Sequence, residues 1–275
     1  MFSSRCSDMF NQNASTEVAE TDFTSRLIGK FDEDAVLLVH QALDHLQLTV
    51  PEDEDQFLIG RLSLMLILDE FSLVVRLSPA NYMADESEAY RHPRLLQPIA
   101  SIPSGSVIIK ILPGLHQAQD VSEESELAQS LETDGIDFWD LKLSNIGRLP
   151  FKTPAFPKGI PVVIDHDAVN TLRFGVLQES DSFKEAQKAQ EELYASLRQA
   201  FQTAWPDFSV PPDGKKMKAF WDLCKQHAQE GKLAAGWHEE QSEEMKSQVQ
   251  VWGDNLNTGK ASAAARCYAQ KTLQP

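Results

Sequence analysis

Apolar residues along this 275-residue chain switch between a helical and a strand period, and the order of the switches restricts the folds open to it. Over 24–48, Leu27, Ile28, Phe31, Ala35, Val36, Leu38, Val39, Ala42, Leu43 and Leu46 recur at steps of three and four, which places them on one face of a helix. Pro51-Glu-Asp-Glu-Asp interrupts that pattern as an acidic loop. The stretches 57–68 and 71–77, joined at Asp69-Glu70, then predict two strands, and 106–112 predicts a third that ends at Pro113-Gly114, a turn or hinge signal. Between them, 82–92 suits a short helix limited by Pro93 and Pro98. From Ser182 onward the period is helical again, with 183–203, 215–231 and 239–251 separated by Trp205-Pro206, Pro211-Pro212-Asp-Gly and Gly236. Strands early and helices late predict an α+β fold.

With 42% hydrophobic residues the chain can bury a core of one good-sized domain or two small ones. A net charge of −16 argues against a non-specific phosphate-backbone binder, so no nucleic-acid partner is expected. The longest apolar runs are broken by Ser63, Asp69 and Glu70 well short of the roughly 18 residues a membrane span needs, so no membrane partner is expected either. Cys6, Cys224 and Cys267 are too few and too scattered for a disulfide framework or a zinc site, which suits a reducing, cytoplasmic compartment. Residues 1–23, rich in Ser, Asn, Thr and acids, predict a disordered tail without a signal peptide. The same composition is compatible with a secreted effector.

One cluster carries a specific chemistry. Asp137-Phe-Trp-Asp-Leu-Lys-Leu-Ser-Asn145 is followed by Val162-Val-Ile-Asp-His-Asp167, whose Asp165 stands twenty positions after Asn145. A predicted helix over 122–133, with Ser122 as its N-cap, leads into the first segment, and predicted strands at 146–149 and 160–164 form a hairpin, with Asp140 and Asn145 before it and Asp165 just after it. Phosphoryl transfer needs a carboxylate to orient the attacking hydroxyl and oxygen ligands for magnesium. Asp140, Asn145 and Asp165 supply those groups. His166 reads as structural, because no further His ligands stand at metal spacing.

In order and spacing, roughly 57–168 resembles the protein-kinase-like superfamily, including small bacterial and aminoglycoside-phosphotransferase-like kinases. The family's catalytic loop H-R-D-L-K-x-x-N is matched at Asp140, Leu141, Lys142 and Asn145 without a gap, while Phe138 and Trp139 replace its His and Arg. Asp165-His166-Asp167 stands where the family has D-F-G. The resemblance implies a two-lobed fold, with an N-terminal helix and β-rich N-lobe over 24–113 and a mainly helical C-lobe over 114–275. The C-lobe would hold a catalytic loop at 138–145 and a metal-binding segment at 162–168. It implies ATP and magnesium as cofactors, Asp140 as the catalytic carboxylate, and Lys142 as a contact to the transferred group. Asn145 and Asp165 would be metal ligands, with Asp167 as an added one.

On the nucleotide side the implied residues are Gly60, Arg76 in place of the family lysine, Glu88 or Glu86 as the partner of that cation, and Lys110 as an alternative cation. The glycine-rich loop is reduced to Gly60, and no A-P-E-like segment follows Asp167. The implied activity is transfer of the γ-phosphoryl group to a hydroxyl acceptor, on a protein ahead of a small molecule. The missing glycines and Arg76 keep a second possibility open, a catalytically inactive pseudokinase acting as a scaffold. In both cases the C-terminal helices offer a surface for a partner protein.

Overall fold

The computed structural model describes residues 22–50, 57–59, 63–80, 88–117, 121–138, 141, 145–164 and 169–234. Its class is α+β. The strands β1 (Phe57–Ile59), β2 (Leu64–Leu68), β3 (Leu73–Pro79), β4 (Ala100–Ser104) and β5 (Val107–Pro113) form an antiparallel sheet in the order β1-β2-β3-β5-β4. Register partners Leu64, Leu77, Ile109 and Ile102 lie across one face, and Leu66, Val75, Ile111 and Ala100 form the next row on that face; all eight are buried. Alternation along each strand puts Met65, Arg76, Lys110 and Ser101 in a row on the opposite face.

Two helices, α1 (Asp22–Ile28) and α2 (Glu33–His45), replace the single predicted helix. The break follows from Asp32, whose backbone is extended (φ −70°, ψ 163°) and whose side chain accepts the Ala35 N–H at 2.8 Å, starting a new helix. Ile28, predicted on the buried face, is left 51% exposed. α2 packs against β4 and β5, and its Val36, Val39 and Leu43 share their apolar cluster.

The expected strands 57–68 and 71–77 resolve into β1, β2 and β3. A 3-10 turn at Asp69–Phe71 stands at the expected junction, and Ser72 after it has φ 52°. The short helix expected at 82–92 is a 3-10 turn at Glu88–Arg91 where it is described, stopping before Pro93. β4 has no counterpart among the predicted strands; it is the edge strand, where Pro103 can be tolerated.

Gly114 is fixed at the end of β5. Its N–H donates to the Ser72 carbonyl at 2.8 Å, and its own carbonyl accepts from the Ala234 N–H at 3.5 Å. The Pro-Gly signal thus marks a junction tied to two distant parts of the chain.

Beyond it come β6 (His116–Gln117), α3 (Val121–Thr133), β7 (Ile136–Phe138), β8 (Ile146–Leu149), β9 (Ile160–Val163) and β10 (Val169–Leu172). They form a three-stranded sheet, β6-β8-β9, and a two-stranded one, β10-β7. α3 begins at Val121, so Ser122 lies inside its first turn and is not the N-cap. Leu127 and Leu131 of α3 join Leu95, Ile136, Ile146 and Val163 in a small apolar cluster.

The last described helices are α4 (Asp181–Ala204), capped by Ser180, and α5 (Gly214–Gln229), capped by Asp213. Phe201, Trp205, Phe208, Phe220 and Trp221 interlock between and beside them, and the Trp221 indole N–H reaches back to the Leu46 carbonyl at 2.7 Å. One continuous cluster therefore runs from Phe23 through the five-stranded sheet to Leu233. The helix expected at 239–251 and the tail at 1–21 lie outside the described residues, among which no helix is long and apolar enough to cross a membrane.

A Cβ on Gly114 would stand 2.5 Å from the Ser72 carbonyl oxygen and would meet the Ala234 carbonyl oxygen as well. Gly114→Ala is expected to cost about 1–3 kcal/mol, because both obstacles are backbone. Gly175→Ala, at φ +76° with nothing within 4 Å, is expected to cost only about 1 kcal/mol, through added backbone strain. Urea midpoints of the two variants give the comparison.

Candidate functional site

Two ladders frame the acidic motif. β7 pairs antiparallel with β10, with Phe138 opposite Val169, and β8 pairs antiparallel with β9, with Ile146 opposite Val163. One further bond, from the Ile164 N–H to the Asn145 carbonyl at 2.9 Å, extends the second ladder toward the motif. In sequence, Asp140 follows Phe138 by two residues and Asp167 precedes Val169 by two, while Asn145 adjoins β8 and Asp165 follows Val163 by two. The two segments are thus flanked by strands that pair with one another; the β8–β9 hairpin is the one expected from the sequence, whereas the pairing of β7 with β10 is not contained in the sequence order.

Of the residues singled out from sequence, Gly60, Glu86, Trp139, Asp140, Lys142, Asp165, His166 and Asp167 lie outside the described residues. Asn145 is described and buried, at 7% exposure. Glu88 opens the 3-10 turn that ends at Arg91. Among the described residues no group of three or more His, Cys, Asp or Glu side chains is placed to hold a metal.

The cations predicted for the nucleotide are brought together. Arg76 on β3 and Lys110 on β5 are direct register partners, both half-buried, on the sheet face turned away from the Leu64 and Leu66 rows. Like charges directly opposite each other on adjacent strands repel. Arg76 Nε is buried and has no hydrogen-bond partner among the described residues. A phosphate oxygen suits such a donor, and the guanidinium grips phosphate well.

A buried polar network has no counterpart among the sequence predictions. His92, Arg94 and Asp134 are each fully buried. His92 Nδ1 accepts the Arg94 backbone N–H at 3.0 Å, which leaves its Nε2–H to donate to Asp134 Oδ2 at 2.9 Å; the ring is therefore the neutral tautomer. Asp134 Oδ1 accepts the Ser180 N–H at 3.0 Å, just ahead of α4. Arg94 donates from Nε to the Pro161 carbonyl at 2.8 Å and from Nη1 to Ser182 Oγ at 3.0 Å, and its guanidinium lies 4.8 Å from the centre of the Phe156 ring.

Burial pushes the His92 imidazole below its ordinary pKa despite the Asp134 carboxylate beside it. Burial raises the Asp134 carboxyl, but the bonds from His92 and Ser180 outweigh it and leave the group below the usual carboxylate range. Burial also brings Arg94 down to about 10. His92-Pro93-Arg94 carries no local pattern that announces this role, since each bond to α3, β9 or α4 spans many residues.

Comparison with models of known protein families and with curated proteins finds no match to this chain.

Three histidines, His40, His92 and His227, have pKa values lowered chiefly by burial. A depressed imidazole stabilises the fold above its unfolded pKa near 6.5, and that stabilisation is lost as pH falls below it. The melting temperature is expected to drop between about pH 7 and pH 5. His92→Phe, which removes one titrating ring, should flatten the drop in a calorimetric series.

Proposed function

We propose that the chain is an ATP- and magnesium-dependent phosphotransferase of the protein-kinase-like superfamily, moving the γ-phosphoryl group to a hydroxyl, with a protein acceptor favoured over a small molecule. The observation that carries the proposal is the mutual pairing of the strands that flank the D-L-K-x-x-N segment and the Asp165 segment. The register pairing of Arg76 with Lys110 supports a phosphate-binding face on the sheet.

In this proposal 24–113 is the N-lobe and 114–275 the C-lobe. Asp140 accepts a hydrogen bond from the acceptor hydroxyl, orients it, and takes up its proton as the new P–O bond forms and the bond to the leaving ADP breaks. Lys142 steadies charge on the transferred group. Arg76, with Lys110 beside it, holds the nucleotide phosphates, and Glu88 orients one of these cations. Asn145, Asp165 and Asp167 would hold magnesium, which supplies charge neutralisation on the phosphates. Asn145, a buried neutral oxygen donor next to β8, fits that role.

With labelled ATP, magnesium and a mixed-protein acceptor, Asp140→Ala and Asp165→Ala are each expected to lower transfer about 100-fold or more. Lys142→Ala should cost less than either. Unchanged labelling in both aspartate variants would reject the proposal.

The second reading, a non-catalytic scaffold, is favoured by Arg76 standing where the family uses lysine. It separates cleanly in a thermal-shift titration. A phosphotransferase gains melting temperature with magnesium-ATP, and the gain shrinks in Arg76→Ala; a chain that binds no nucleotide shows no shift at millimolar concentration.

A further inference from the structure

We infer that His92 and Arg94 are positioning residues, which lock the strand leading to Asp165 and the strand leading to Asp140 into one rigid unit. The inference rests on the phosphotransferase reading only for its consequence in magnesium use; the mechanical part stands on described contacts alone.

The segment 92–96 is hydrogen-bonded to β9 and to the turn that leads into β7. On the β9 side, the Arg94 carbonyl accepts the Val163 N–H at 2.8 Å, the Val163 carbonyl accepts the Leu96 N–H at 2.8 Å, and Leu95 bridges Val163 in parallel fashion. The guanidinium of the same Arg94 holds the Pro161 carbonyl, so β9 is gripped at both of these positions. On the β7 side, His92 binds Asp134, the residue between the end of α3 and Gly135-Ile136, where β7 begins. Asp134 also fixes the segment between β10 and α4, because its carbonyl accepts the Gln178 N–H at 2.9 Å and its carboxylate accepts the Ser180 N–H.

Five residues thus join the two ladders that flank the acidic motif. The His92 ring is itself held edge-on against Phe183, with centroids 5.0 Å apart, and the Pro93 carbonyl accepts a hydrogen bond from the Gln190 side chain. A ring so enclosed has one orientation available, which is what a positioning device needs.

The test uses the full chain with His92→Phe, which keeps an aromatic ring against Phe183 but deletes both ring bonds, and with Asp134→Asn, whose single side-chain oxygen cannot serve both His92 and Ser180. Leu43→Ala, in the distant α2 core, serves as a control matched for loss of melting temperature by adjusting urea. Hydrogen exchange is read at the Val163 and Ile164 amides for β9, and at the Arg173 and Gln178 amides for the α3–β7 turn. In both network variants the two sets are expected to speed up together by about tenfold or more over the control, the loss of one buried hydrogen bond. Acceleration confined to one set, or equal in the control, would overturn the inference.

A second measurement reads the functional consequence, the magnesium concentration giving half of the magnesium-ATP thermal shift. It is expected to rise roughly tenfold in the network variants and to stay put in Leu43→Ala, as for residues that orient metal ligands from outside. If the unaltered protein shows no magnesium-ATP shift, the phosphotransferase reading fails while the exchange result still decides the positioning role. If the shift is present and its magnesium dependence is unmoved in His92→Phe and Asp134→Asn, the positioning claim fails alone.

Discussion

Short antiparallel ladders are weak on their own, and two of them flank the acidic motif along the sequence of this molecule. β7–β10 and β8–β9 each pair only three or four residues, a length that is marginal without support from outside. Support comes from a buried hydrogen-bonded histidine and arginine on a separate segment of chain. His92 closes onto Asp134, Arg94 closes onto Pro161 and Val163, and α4 begins against the same carboxylate. Every member of the group is fully enclosed, so each polar atom that loses its partner exposes the others to a desolvation cost of about 1–3 kcal/mol. Such a group holds one geometry or comes apart, which is what the proposed positioning role asks of it.

Electrostatics of the five-stranded sheet run against the chain as a whole. In a protein of net charge −16, two cations face each other across β3 and β5, and the Nε of Arg76 is buried without a hydrogen-bond partner among the described residues. Global charge repels anions over long distances, but salt screens it beyond roughly 10 Å. The pair is a local concentration of like charge in an acidic chain, and in the proposed function it is the place that takes the nucleotide phosphates.

Much of the secondary structure is legible in the sequence because it depends on local period and punctuation. α3, α4, α5, β8 and β9 fall close to their predicted bounds, since Leu127 and Leu131, the Ser180 and Asp213 caps and the alternating apolar residues act within a few positions. The α1–α2 break is hidden because the apolar period continues through Phe31 while Asp32 recruits its own N–H partner. β4 is hidden because Ala-Ser-Ile-Pro-Ser has weak strand propensity and is strand only through its ladder to β5. In the candidate site, Arg76 and Lys110 are each legible as cations, and Asn145 as an amide in a motif. Their sequence separation gives no hint that the two cations are register partners.

The sequence by itself determined the alternation that makes one face of the sheet apolar, the helical periods of the later chain, and the order in which the acidic residues arrive. These follow from side-chain chemistry acting over three or four residues. Only the tertiary structure decided that β7 meets β10, that Gly114 is held between Ser72 and Ala234, and that His92 becomes the neutral partner of Asp134. Such contacts join residues far apart in the chain, and they form only when burial removes water as the competing partner for each polar group.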